Sequence, residues 1–141
     1  MKITLKNKYT LKMDDFKMPV ILQNIITINC PAEALFSYVT QPWLWHEWHP
    51  NSKSARASVA TLKKDDTFQE VVELQPFSPL PITLKRQTEY VVLTAKPYKI
   101  WEVKGLMKDG WLNIRYEFQA NTASCTFTRT LTFDAKGLSL L

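Results

Sequence analysis

Residues 26–50, ITINCPAEALFSYVTQPWLWHEWHP, carry the reading that decides the fold. The first of them close a β-branched, apolar run, PVILQNIITIN at 19–29, which predicts a strand. Pro31 suits the first position of a helix, with Asn29 or Cys30 before it as a cap and Glu33 in the first turn. Ala32, Leu35, Phe36 and Val39 then recur at i, i+3, i+4 and i+7, the spacing of one amphipathic helix. Pro42 restarts the chain as a second short helix over 42–48.

Everything beyond reads as strand. SARASV (54–59) is a weak candidate and TFQEVVELQ (67–75) a better one. PITLKRQTEYVVLTA (81–95), YKIWEVKGLM (98–107), WLNIRYEFQA (111–120) and SCTFTRTLTFD (124–134) alternate with period two. Breakers stand between them at Lys96-Pro97, Asp109-Gly110 and Asn121-Thr122. Upstream, residues 2–13 also alternate, with Ile3, Leu5, Tyr9, Leu11 and Met13 set against lysines and threonines. That predicts an N-terminal arm, residues 1–18, forming an extra strand or hairpin, followed by one domain over 19–141. The order is strand, two short helices, then an antiparallel meander.

A chain of 141 residues, 45% hydrophobic and 22% charged, has the composition of one globular domain. No run approaches the ~18 apolar residues of a membrane span, and the N-terminus lacks the apolar core of a signal peptide. Cys30 and Cys125 are far apart with no CxxC spacing, which points to free thiols and a cytoplasmic setting. The net charge of +5 comes from scattered lysines and arginines without a basic stripe or recognition motif, so no nucleic-acid partner is expected.

Gln41–Ser52 holds three tryptophans and both histidines. His46-Glu47-Trp48-His49 falls one residue short of the H-E-x-x-H spacing of a zinc helix. Pro50 also pushes His49 out of the α region. With no third ligand in reach, neither a metal nor another cofactor is expected. Packing is the first reading for these rings, with Trp48 the plug between helix and sheet and Trp43 and Trp45 open to a cavity entrance. His46 and His49 are the candidate proton-transfer groups, against the plainer reading of solvated surface imidazoles.

The stretch quoted first and the closing pair WLNIRYEFQANTASCTFTRTLTF (111–133) resemble the START-like superfamily. This fold is also called helix-grip or SRPBCC, and the nearest branch is the polyketide cyclase/dehydrase type. The resemblance runs from about residue 20 to 134. It implies an α+β fold in which a curved antiparallel sheet of about six to seven strands carries two short helices after the first core strand. It also implies an apolar cavity for a lipid, polyketide or similar ligand. The family's long C-terminal helix should begin near AKGLSLL (135–141), where the chain offers too few residues for one. Either the helix is truncated, or a homodimer, a partner or the N-terminal arm is expected over the concave face.

Strand alternation sorts the residues facing that cavity. Glu70, Arg86 and Arg129 stand in phase with apolar neighbours, and an unpaired buried charge costs several kcal/mol. They form a Glu–Arg ion pair, turn outward at a bulge, or leave an arginine to pin an anionic or carbonyl group. With Trp45, Tyr90, Trp101, Met107, Tyr116, Phe118 and Phe127 they make the expected ligand-binding set. Three functions follow: hydrophobic ligand binding, a cyclase/dehydrase-type enzyme, or a co-chaperone-like interaction module. An imidazole turned into a closed pocket favours the enzyme, a pocket without a base favours binding, and a large exposed apolar face favours a partner.

Overall fold

The computed structural model describes residues 2–3, 19–74, 83–108 and 110–134. Among these residues, eight strands form one antiparallel sheet: β1 (Lys2–Ile3), β2 (Val20–Ile28), β3 (Ser52–Ala57), β4 (Thr67–Leu74), β5 (Leu84–Lys96), β6 (Ile100–Met107), β7 (Gly110–Ala120) and β8 (Cys125–Phe133). Their spatial order is β1-β2-β8-β7-β6-β5-β4-β3. From β3 to β8 the chain is a meander, and β2 docks on its last strand with Val20 opposite Phe133 and Ile28 opposite Cys125. The expected alternation over residues 4–13 and the C-terminal segment 135–141 lie outside the described residues; of the arm, Lys2 and Ile3 pair with Gln23 and Leu22.

That order forces the chain between β2 and β3 to cross from one side of the sheet to the other. Helix α1 (Ala32–Val39) and a 3₁₀ helix (Pro42–Glu47) make the crossing. The helices differ from expectation in two details. Pro31 itself occupies the N-cap with extended backbone and no side-chain cap bond, so neither Asn29 nor Cys30 caps α1. The second helix is 3₁₀ and stops before Trp48, consistent with a run this short and with the proline that follows His49.

The helices cover the concave face of the sheet. Phe68, Tyr90, Val92, Trp101, Val103, Ile114, Tyr116, Phe118, Cys125 and Phe127 are buried on that face together with Ala32, Leu35, Val39 and Trp45 from the helices. The strand phases are those that alternation predicts. The outer face mixes polar pairs with exposed aliphatics: Arg115 bridges Glu102 and Glu117, Lys104 lies 5.7 Å from the centre of the Trp111 ring, and Leu106 is exposed.

Trp45 joins helices to sheet. It is 2% exposed. Its ring meets Phe68, Tyr90 and Trp101 edge-on at 5.6, 6.0 and 6.1 Å between centroids, and its Nε1–H donates to Val39 O at 2.8 Å. The plug of this fold is thus Trp45, whereas Trp48 is half-buried. With three residues per turn, Pro42 and Trp45 share one face of the 3₁₀ helix, and both are buried.

Gly105 on β6 keeps that arrangement possible. A Cβ there would stand 2.7 Å from Tyr90 Cε1 and 2.8 Å from Thr88 Cγ2. Tyr90 cannot retreat, because its ring stacks on Phe68 at 4.7 Å and its hydroxyl is bound to Glu70. Gly105→Ala is expected to lower stability by ~1–3 kcal/mol through overpacking, measured as a shift in denaturant midpoint at unchanged slope.

Candidate functional site

A cavity of about 210 Å³ opens on the concave face beside the 3₁₀ helix. Its apolar wall is Val72, Met107, Leu112, Ile114, Leu131 and Phe133, with Trp45 at the helix side. Polar groups enter from four strands (Glu70, Arg86, Thr88, Tyr90, Tyr116 and Arg129), from the turn after the 3₁₀ helix (His49) and from the residue after β8 (Asp134). Each strand contributes through the same period-two phase, so residues two apart line one wall.

Seven of the expected ligand-binding residues line this cavity: Trp45, Glu70, Arg86, Tyr90, Met107, Tyr116 and Arg129. Trp101, Phe118 and Phe127 do not. They share the face but lie under the helices, where Phe118 packs edge-on to Phe36 of α1 at 5.1 Å and Phe127 lies 5.2 Å from Phe118. Trp101 is fully buried beneath Trp45. Which part of each strand the helices cover is a long-range fact that alternation does not carry. The same phase could have added Val72, Thr88, Leu112, Ile114, Leu131 and Phe133 to the expected set. Ser52, buried at the bulged start of β3, lies before the weak strand expected at 54–59.

The histidines separate. His46 is exposed, with Nδ1 3.1 Å from Trp43 O. His49 turns inward after the helix ends; its backbone N–H donates to Trp45 O at 2.7 Å, and its ring lines the cavity. The plainer reading therefore fits His46 and fails for His49. Among the described residues, no three His, Cys, Asp or Glu side chains gather as a metal site.

Two polar couples organise the cavity. Glu70, 4% exposed, accepts the Tyr90 hydroxyl at 3.0 Å. Burial pushes its carboxyl above the ordinary 4.5, and the nearby hydroxyls of Ser52 and Tyr90 and the charge of Arg129 offset this only in part. Arg129 Nη2 stands 3.4 Å from His49 Nε2. Burial first, and the Arg129 charge second, hold His49 below its ordinary 6.5. Burial also raises the Tyr90 and Tyr116 phenols, so both are protonated donors at neutral pH. No Glu70–arginine contact reaches ion-pair distance among the described residues: the expected ion pair is replaced by Tyr90 as a donor, with Arg129 acting at longer range. No bulge turns Glu70, Arg86 or Arg129 outward.

The two shifts have opposite consequences for stability. His49 binds its proton less readily when folded, so its contribution is complete above pH 6.5 and is lost as pH falls through the depressed folded value. Glu70 binds its proton more readily when folded, so its contribution is complete below pH 4.5 and is lost as pH rises through the raised value. In denaturant midpoints followed against pH, His49→Phe should remove part of the loss on the acid side of 6.5. Glu70→Gln should gain on wild type as pH rises above 4.5. Curves parallel to wild type would contradict both assignments.

The sequence matches the family described as "Polyketide cyclase / dehydrase and lipid transport" over residues 20–140. No curated protein matches the chain. Among solved structures, it is similar to a Deinococcus radiodurans protein at TM-score 0.63 and 16% identity, covering 80% of this chain and 81% of that one. A START superfamily protein from Mycobacterium smegmatis superposes at TM-score 0.60 with 12% identity, covering 80% and 75%. An aromatase/cyclase from Streptomyces superposes at TM-score 0.59 with 8% identity, covering 82% and 67%. At these identities the structures speak to fold alone. With the match over residues 20–140, the chain belongs to the polyketide cyclase/dehydrase and lipid-transport family.

Proposed function

We propose that the protein binds one hydrophobic small molecule, lipid- or polyketide-like, in the cavity on the concave face of the sheet. The carrying observation is a wall of six aliphatic and aromatic side chains that converges on a few placed polar groups, the usual make-up of a small-molecule site. The volume of about 210 Å³ corresponds to roughly seven waters at ~30 Å³ each. Removing ~300 Å² of ligand surface from water at ~25 cal/mol/Å² contributes about 7 kcal/mol before association costs. That falls short of the ~8.2 kcal/mol of micromolar binding, so contacts with the polar groups must add to it. The free thiols of Cys30 and Cys125 fit a reducing, cytoplasmic setting.

A second reading, a cyclase/dehydrase-type enzyme, is favoured by His49 at the cavity wall near Arg129 and by the raised carboxyl of Glu70. Residues with shifted protonation in a cleft are candidates for acid–base work. The partner reading has less support. Ile21 and Ile25 share one face of β2 at 47% and 62% exposed, and Ile26, 54% exposed, points to the other.

Leu131→Trp, which fills the cavity from β8, tests the binding reading. Saturating wild type with an apolar ligand at 100 times its Kd should stabilise it by ~2.7 kcal/mol. The filled variant should fold and show no such shift. Equal ligand-induced shifts in both proteins would contradict binding at this cavity.

A further inference from the structure

Resting on the binding reading, we propose that the turn joining the 3₁₀ helix to β3 is an acid-operated gate. A proton on His49 drives its ring away from Arg129, out of the cavity wall, and releases the ligand.

The trigger is the contact between Arg129 Nη2 and His49 Nε2 at 3.4 Å. A guanidinium has five N–H donors and no acceptor, so the nitrogen facing it must present a lone pair. Only the neutral imidazole can do so. A proton on Nε2 replaces the lone pair with a donor and sets two cations against each other, where both side chains are partly buried. Like charges this close repel strongly once water is partly excluded. Burial and the Arg129 charge hold His49 below its ordinary 6.5, so the gate operates on the acid side of that value.

The surrounding groups reinforce the trigger. Lining the cavity with His49 are Glu70 of β4, Arg86 and Tyr90 of β5, Tyr116 of β7, Arg129 of β8 and Asp134. His46 and Glu47 of the 3₁₀ helix are exposed. Both phenols stay neutral in acid, and Arg86 and Asp134 add one charge of each sign. Glu70 is the carboxylate whose charge couples to Arg129, and burial raises its protonation above the ordinary 4.5. Acid therefore withdraws a negative charge from beside Arg129 while it adds a positive one.

The turn has room and a hinge. Pro50 and Asn51 are exposed, so solvent lies on its outer side. His49 N–H donates to Trp45 O at 2.7 Å and Glu73 N–H donates to Asn51 O at 2.9 Å, which anchors the two ends. Between them, Ser52 N–H donates to His49 O at 3.1 Å. β3 then begins with a register shift between Ser52 and Ser54, and a bulge of this kind bends its strand. Opening the Ser52–His49 bond frees the ring to turn outward while both anchors hold.

Calorimetry with cumene, an apolar probe that does not titrate, tests the gate in wild type and in His49→Gln. Release coupled to one proton weakens binding by up to about tenfold per pH unit below the titration, so wild type should bind roughly tenfold more weakly at about pH 5 than at about pH 7.5. Gln offers Arg129 an acceptor oxygen and does not titrate, so the variant's own affinity should be the same at both values. Equal wild-type affinities at the two values, or an equal loss in His49→Gln, would overturn the gate and leave the binding reading intact. Cumene binding at neither value would overturn the binding reading and ligand release with it. Amide hydrogen exchange, corrected for its intrinsic pH dependence, follows the turn without a ligand. Protection of the Ser52 amide should fall as NMR shows the His49 ring taking up its proton, while amides of β7 and β8 stay protected. Unchanged Ser52 protection through that titration, or loss across the whole sheet at the same pH, would overturn the gate.

Discussion

The rest of the structure depends on Trp45 being held between helix and sheet. A meander whose first strand docks on its last must send the connecting chain across one face, and that chain is short. A single large ring at the middle of a 3₁₀ turn makes the crossing stable. It reaches β4, β5 and β6 at once through Phe68, Tyr90 and Trp101, and its own N–H closes on the last residue of α1. Edge-to-face contacts of this kind add to what burial alone contributes. The same ring is one side of the cavity, so packing and site are one construction.

From Trp45 the constraint passes outward to the polar groups. Its neighbour Tyr90 is fixed by stacking on Phe68, which leaves the Tyr90 hydroxyl aimed at Glu70. His49 follows because its backbone N–H is bound to Trp45 O, which sets its ring against Arg129. Burying these groups costs free energy, and a hydrogen bond from Tyr90 offsets part of it for Glu70, while His49 Nδ1 and Arg129 Nε are buried without a hydrogen-bond partner.

Much of this was legible in the residues. Period-two alternation alone places Glu70, Arg86 and Arg129 on the inward face, and the i, i+3, i+4, i+7 spacing marks α1. The phase survives because a slip of one residue would expose every apolar side chain on the strand. Three things were not legible. Trp45 rather than Trp48 is the plug because the second helix is 3₁₀, and helix type in so short a run depends on what it packs against. His49 turns inward for a similarly local reason, the turn after Trp48. Trp101, Phe118 and Phe127 belong to the core under the helices and not to the cavity, a division set by where α1 and the 3₁₀ helix lie on the sheet.

Native mass spectrometry of the protein as purified from cells, followed by denaturation of the same sample, tests the central claim most directly. The account predicts a folded species carrying one small hydrophobic molecule, released on denaturation, or an empty one that takes up a single equivalent of an added apolar compound. A folded protein that arrives empty and stays empty in the presence of such compounds would contradict it.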